Sequence, residues 1–145
     1  MLSKMANKNT NSFNYSLLSE FLFTILPLTI IVIIRSYEED YNKIFFNSEW
    51  AVISIILFGQ SIVKLASGIA NYNNKLTWQK VSFIISILII IGLIPSTTIL
   101  VLNVLDQQNS TPNLVLHTLQ IFFFFLSCIA FFIIGAVGQS FLEDE

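Results

Sequence analysis

Four long apolar stretches constrain this chain more than anything else in it: Leu17 to Ile34, Trp50 to Ala70, Val81 to Leu105 and Pro112 to Leu142. Each approaches or exceeds the roughly 20 residues that cross a hydrocarbon core as a helix. The third and fourth are far too long for ordinary buried strands. Hydrophobic residues make up 54% of the 145-residue chain and charged residues 11%, against the roughly 25% charged that a soluble domain carries. So few charges cannot clothe four such helices in water. The pattern predicts an all-α integral membrane protein, a single domain over 1–145 whose four transmembrane helices form a bundle.

Composition narrows the partners. With 7 Lys plus Arg, 9 Asp plus Glu and a net charge of −2, there is no basic stripe to displace counterions from phosphate, which excludes nucleic acid as a partner. Cys128 is the single cysteine and sits inside the last apolar run. Disulfide frameworks and paired-cysteine metal sites are thereby excluded within one chain, and Cys128 reads as a small apolar filler. There is one histidine, with no His-x-x-x-His spacing, no Gly-rich phosphate loop and no nucleophile beside a base, so the reading is of a protein that is not an enzyme and binds no metal or cofactor. Asn, Ile, Lys and Phe prevail over Ala, Gly and Arg, a bias that points to an AT-rich genome, most simply a bacterial one.

The stretch Met1 to Ser16 is polar and Asn-rich, and the run after it contains Glu20 and Pro27 without a small-x-small cleavage pattern. It reads as a flexible cytoplasmic segment over 1–12 leading into a retained first helix rather than as a cleaved signal. Phe13, Leu17 and Phe21 recur at i, i+4 and i+8, which starts that helix near Ser12 with an amphipathic foot. Pro27 removes the donor to the carbonyl of Phe23 and marks a hinge.

The second run follows the acidic connector Glu38, Glu39, Asp40 and opens with Glu49 and Trp50, a charge and an aromatic suited to the interface. Gln60, Lys64, Ser67 and Asn71 fall on one helical stripe, and the small residues Ser54, Ser61 and Gly68 repeat on an adjacent strip, where another helix can approach closely. This helix is expected to be central. In the third run Pro95 frees the carbonyl of Ile91, and the hydroxyls of Ser96, Thr97 and Thr98 are placed to satisfy it, so Pro95 is a second hinge. The fourth run is expected to begin with Thr111 as N-cap and Pro112 in the first turn. Its consecutive phenylalanines, 122 to 125, cover the whole helix circumference, so part of it faces lipid.

Counting Lys and Arg places the N-terminus and the loop after Asn71 on one side, with Lys4, Lys8, Lys75 and Lys80, and Arg35 and Lys43 on the other. Both termini are then cytoplasmic in a cell inner membrane.

Polar groups inside the spans are the candidate site. Residues 21–34 are uncharged and cover only ~21 Å of a ~30 Å core as a helix, so Glu20 lies at or inside the boundary. At matching depth, Lys64 is its expected partner, with Gln60 completing the hydrogen bonds and Ser67 and Asn71 lining the same strip. Near the other interface His117 and Gln120 share their depth with Glu49 and Asp106; a satisfied histidine and a proton sensor are the alternatives.

Three functional classes follow. The first is a homo-oligomer that forms or gates a membrane pore, of the kind small bacterial toxins and defence effectors use, because one four-helix chain has too little interior for a channel. The second is a membrane anchor or regulatory subunit for a cytoplasmic or membrane protein partner. The third is a dimeric transporter of ions or small molecules. Four helices with a glutamate in the first are a feature of the small multidrug resistance family, but the long acidic connector and the Pro95 segment depart from that pattern, and the chain is not assigned to it.

Overall fold

A computed structural model of the chain describes the backbone of residues 2–39, 44–70, 75–106 and 113–143, and side chains at 15, 17–39, 44–68, 78–106 and 113–137. Among these residues the structure is all-helical. Helix α1 is Leu2–Tyr37, α2 is Glu49–Ala70, α3 is Lys75–Ile87, α4 is Ile94–Asp106 and α5 is Leu114–Glu143, with a π-helical segment, Leu88–Leu93, joining α3 to α4. Four stretches are long and apolar enough to cross a membrane: Leu17–Tyr37, Glu49–Gly68, Trp78–Asp106 and Leu114–Val137. We call these the first to fourth spans.

At 36 residues, α1 is about 54 Å long, well beyond a ~30 Å core. It starts at Leu2, earlier than Ser12, and carries Pro27 inside it. Its end is set by local chemistry. The last turn carries Arg35, suited to the negative end of the helix dipole, and its guanidinium bonds Glu38 at 2.8 Å. Glu39 then adopts φ 56°, a left-handed conformation usually given to glycine, and its N–H closes back on Ser36 O at 3.3 Å. Residue 40 onward to 43, including Asp40 of the acidic connector and Lys43, lies outside the described residues, as do Asn71, Thr111 and Pro112.

Helix α2 begins where Ser48 O accepts the N–H of Ala51 at 3.0 Å. Trp50 reaches back to donate its indole N–H to Ile44 O at 2.8 Å, tying the connector to the start of the helix. Of the four spans the second is the most covered, 44% buried against 11, 22 and 28% for the first, third and fourth. It touches every other helix. Ser54 and Ser61 are fully buried, and each folds its hydroxyl onto a carbonyl one turn back, Trp50 O and Leu57 O, both at 2.8 Å. The small strip therefore presents methylene-sized surface rather than polarity, which is what close helix approach needs.

The third span shows how a helix accommodates an internal proline. The N–H of Ile94 donates to Ile89 O, five residues back, immediately before the residue that has no N–H. The turn is widened there instead of broken. The hydroxyls of Ser96, Thr97 and Thr98 bond Gly92 O, Leu93 O and Ile94 O at 2.7, 2.8 and 2.9 Å. This corrects the expectation that they serve Ile91 O: each hydroxyl reaches its own i−4 carbonyl, the shortest reach for a helical Ser or Thr. Inside the π segment Gly92 is buried against the ring of Phe58, and a Cβ there would lie 2.6 Å from it.

Helix α5 starts two residues later than the pattern of Pro112 suggests. Asn113 is the cap, its Oδ1 accepting the N–H of Val115 at 3.1 Å, because an Asn side chain satisfies a free first-turn donor that would otherwise be stranded. The core lies between the first, second and fourth spans, where Leu17, Leu28, Ile53, Leu57, Phe124 and Phe131 are buried together. A smaller cluster joins Leu65 and Val81 with Ile85 and Ile134. Outward, Ile90, Ile91, Phe122, Phe125 and Ile133 are exposed, an apolar surface suited to acyl chains.

Two intramembrane polar clusters as the candidate site

The first cluster joins α1 to α2. Glu20 and Thr24 are one turn apart on α1, and Gln60 and Lys64 are one turn apart on α2. Because the helices run in opposite directions, Glu20 meets Lys64 while Thr24 meets Gln60. Lys64 Nζ lies 2.5 Å from Glu20 Oε2. Gln60 Nε2 donates to Thr24 Oγ1 at 3.2 Å, and Thr24 donates to Glu20 O at 2.9 Å. This corrects the expectation that Gln60 completes the ion pair: it sits one turn away and pairs with a threonine that sequence reasoning did not single out.

The lysine is well housed. Its side chain is 13% exposed, against 45% for Glu20, and the ammonium stands 5.4 Å from the centroid of the Phe131 ring. Gly135 lies beside its stem: a Cβ there would press on Leu17 Cδ2 at 3.0 Å and meet Lys64 Cδ in ordinary contact at 3.5 Å. An unpaired lysine at membrane depth costs roughly 2.5–3.5 kcal/mol, which carboxylate and ring together offset. Ser67 does not join the cluster. It is exposed and bonds Val63 O and Lys64 O at 2.8 and 3.1 Å, while Asn71 is not among the described residues.

The second cluster lies near the other end of the spans. Gln120 is fully buried and Asn103 1% exposed. Asn103 Nδ2 donates to Gln120 Oε1 at 2.6 Å, and Gln120 Nε2 bonds Phe45 O at 3.0 Å and His117 Nδ1 at 3.1 Å. The His117 ring meets the edge of Phe46, with centroids 4.7 Å apart and planes at 85°. One amide thus ties the third span, the fourth span and the connector before α2. Asp106 Oδ2 accepts the N–H of Asn113 at 2.7 Å, holding the third and fourth spans at their shared turn. Glu49 is apart from this group; its N–H bonds Asn47 Oδ1 at 3.3 Å. Asn103 Oδ1 is buried without a partner.

Asn103, Thr24 and the Phe45 carbonyl are the members that sequence reasoning missed. A signal for Asn103 exists: it and Gln120 are the first amides inside the last two spans on either side of their turn, so a hairpin brings them to similar depth. Nothing in the sequence points to a main-chain carbonyl.

The clusters are separate. Along α5, Gln120 and Phe131 are about 16 Å apart, and the buried serine between them, Ser127, bonds its own helix at Phe124 O, 2.7 Å away. The packed apolar core lies between. Among the described residues no three His, Cys, Asp or Glu side chains gather as a metal site would require, and Cys128 packs half-buried against the core. No protein-family model, curated protein or solved structure matches the chain.

Proposed function

We propose that this protein self-associates in a bacterial inner membrane, with both termini cytoplasmic, and that its assembled spans form or gate a pore in the manner of a small membrane-acting toxin or defence effector. The observation that carries the reading is the Glu20–Lys64 pair. It ties the least covered span, the first, to the most covered, the second, and leaves a carboxylate half open to its surroundings. A half-open carboxylate at that depth is expensive against lipid and cheap against a second protein surface. The interior between the two clusters is filled with apolar side chains, so a water-filled path needs several copies of a four-helix bundle, with Pro27 and Pro95 as its hinges.

Reconstituted full-length protein should release an encapsulated dye from phosphatidylcholine and phosphatidylglycerol liposomes. Release should rise more steeply than linearly with protein per vesicle and fall severalfold in Glu20→Gln. Intact vesicles at high protein density exclude the reading.

One observation favours the second reading, an anchor or regulatory subunit of a larger complex: Gln60 and Lys64 are consumed in contacts within the chain. Particle stoichiometry in nanodiscs separates the two, since a ring of copies supports the pore and a one-to-one complex with another protein supports the subunit.

A further inference from the structure

The second cluster contains a proton-binding group whose protonation state is dictated by its neighbours. A primary amide nitrogen carries two hydrogens and no available lone pair, so Gln120 Nε2 can only donate. Its two hydrogens go to Phe45 O at 3.0 Å and to His117 Nδ1 at 3.1 Å. His117 Nδ1 must then be an acceptor, and the ring is neutral with its proton on Nε2. This orientation of the amide is the one that keeps the bond to the Phe45 carbonyl; turned over, Gln120 Oε1 would face that carbonyl as one acceptor against another.

We propose that His117, Gln120 and Asn103 form a proton-operated latch: with His117 neutral the latch holds the Phe45 carbonyl, and a proton taken from solvent at Nδ1 releases it. Once Nδ1 bears a proton, two donors face each other across the His117–Gln120 contact. Turning the Gln120 amide over restores a bond to the imidazolium through Oε1. Asn103 can turn with it, because its Oδ1, buried and without a partner in the neutral arrangement, becomes the acceptor for Gln120 Nε2. Every bond is then replaced except that to Phe45 O, which faces Gln120 Oε1 as one acceptor against another. The orphaned oxygen of Asn103 is the acceptor that this second arrangement uses.

The released carbonyl belongs to the segment that joins the first span to the second, so the latch acts on how the ion-paired first helix is tethered. It works within one chain and does not depend on the pore reading. Among the described residues, His117 meets Gln120 on its own helix and the Phe46 ring of the connector, and the Asp106 carboxylate of the third span acts on it by charge, while Asn103 and the Phe45 carbonyl reach it only through Gln120. At the same end Glu49 opens α2, while Arg35 of the first span pairs with Glu38 just beyond it.

Two native reporters make the test direct. The chain has one histidine, so 15N-histidine labelling reads His117 alone. Trp50 holds Ile44 O at 2.8 Å, next to Phe45, and replacing the exposed Trp78 by Phe makes it the sole tryptophan. The full chain carrying Trp78→Phe is placed in phosphatidylcholine and phosphatidylglycerol nanodiscs and titrated. At high pH the 15N shifts should give the Nε2–H tautomer, and as pH falls from about 8 to 5 acrylamide quenching of Trp50 should rise about twofold with the same midpoint as the histidine. His117→Asn removes the titrating ring and leaves a carboxamide whose oxygen can accept from Gln120 at any pH, so quenching should show no step between about pH 8 and 5. An Nδ1–H tautomer at high pH, a histidine that does not titrate in this range, a titration that leaves Trp50 unchanged, or the same step in His117→Asn would each overturn the latch. The labelled histidine and Trp50 decide the matter even if His117→Asn does not fold.

Discussion

Lys64 and Gln120 are the two side chains on which most of the polar structure depends, and they differ in what their removal leaves behind. Lys64→Met keeps the stem between Leu17 and Gly135 but strands the Glu20 carboxylate. Because that carboxylate is half open, the loss should be about 1–3 kcal/mol rather than the larger penalty of a fully enclosed pair. Unfolding in mixed micelles measures it. The swapped pair, Glu20→Lys with Lys64→Glu, should recover at least half of what either reversal loses, and a double variant no better than the singles would disprove the pairing. Gln120→Leu should cost about 1–3 kcal/mol, since it abandons Asn103 Nδ2 and Phe45 O together. Asn103→Leu should cost less on the same assay, because it also removes an oxygen that already lacks a partner.

At the scale of the element, two positions test how the helices end and bend. Glu39 ends α1 with φ 56°, a conformation that costs an L-residue about 1–2 kcal/mol and glycine almost nothing. Glu39→Gly should raise the unfolding midpoint of the full chain. Gly92 is the opposite case. A Cβ added there meets a buried Phe58 ring at 2.6 Å, so Gly92→Ala should lose about 1–3 kcal/mol through forced repacking. The helices themselves were readable because length and apolarity alone make a span, whatever it packs against. Their ends were less so. Asn113 and Thr111 are both good caps by residue type, and Asn113, just before α5, is also held across the turn by Asp106, which accepts its N–H at 2.7 Å, a contact that the sequence does not announce. The π segment before Pro95 was likewise hidden, since a proline predicts a disturbed helix but not the way the turn widens.

For the whole molecule, unequal burial is the governing fact. The first span is 11% buried and the second 44%, and between apolar helices in lipid no hydrophobic force drives association, only packing and polar contacts. In hydrogen exchange in nanodiscs, amides of α1 around Thr24 should therefore exchange faster than those of α2 around Leu57, with the gap narrowing on self-association. Equal protection would mean that α1 is held more firmly than its contacts imply.

Composition and run length were enough to read the four helices as elements: each run is long and apolar enough to cross a bilayer, and the charges are too few to clothe them in water. The sequence also made the Glu20–Lys64 pairing legible, because a charge in lipid needs an opposite charge at its own depth and only one was on offer. That Gln60 serves Thr24 and that Gln120 gathers Asn103, His117 and a main-chain carbonyl was settled by how the helices pack. Neutral polar groups have many acceptable partners within reach of a helix face, and which of them meet depends on the register and rotation of helices far apart in the chain.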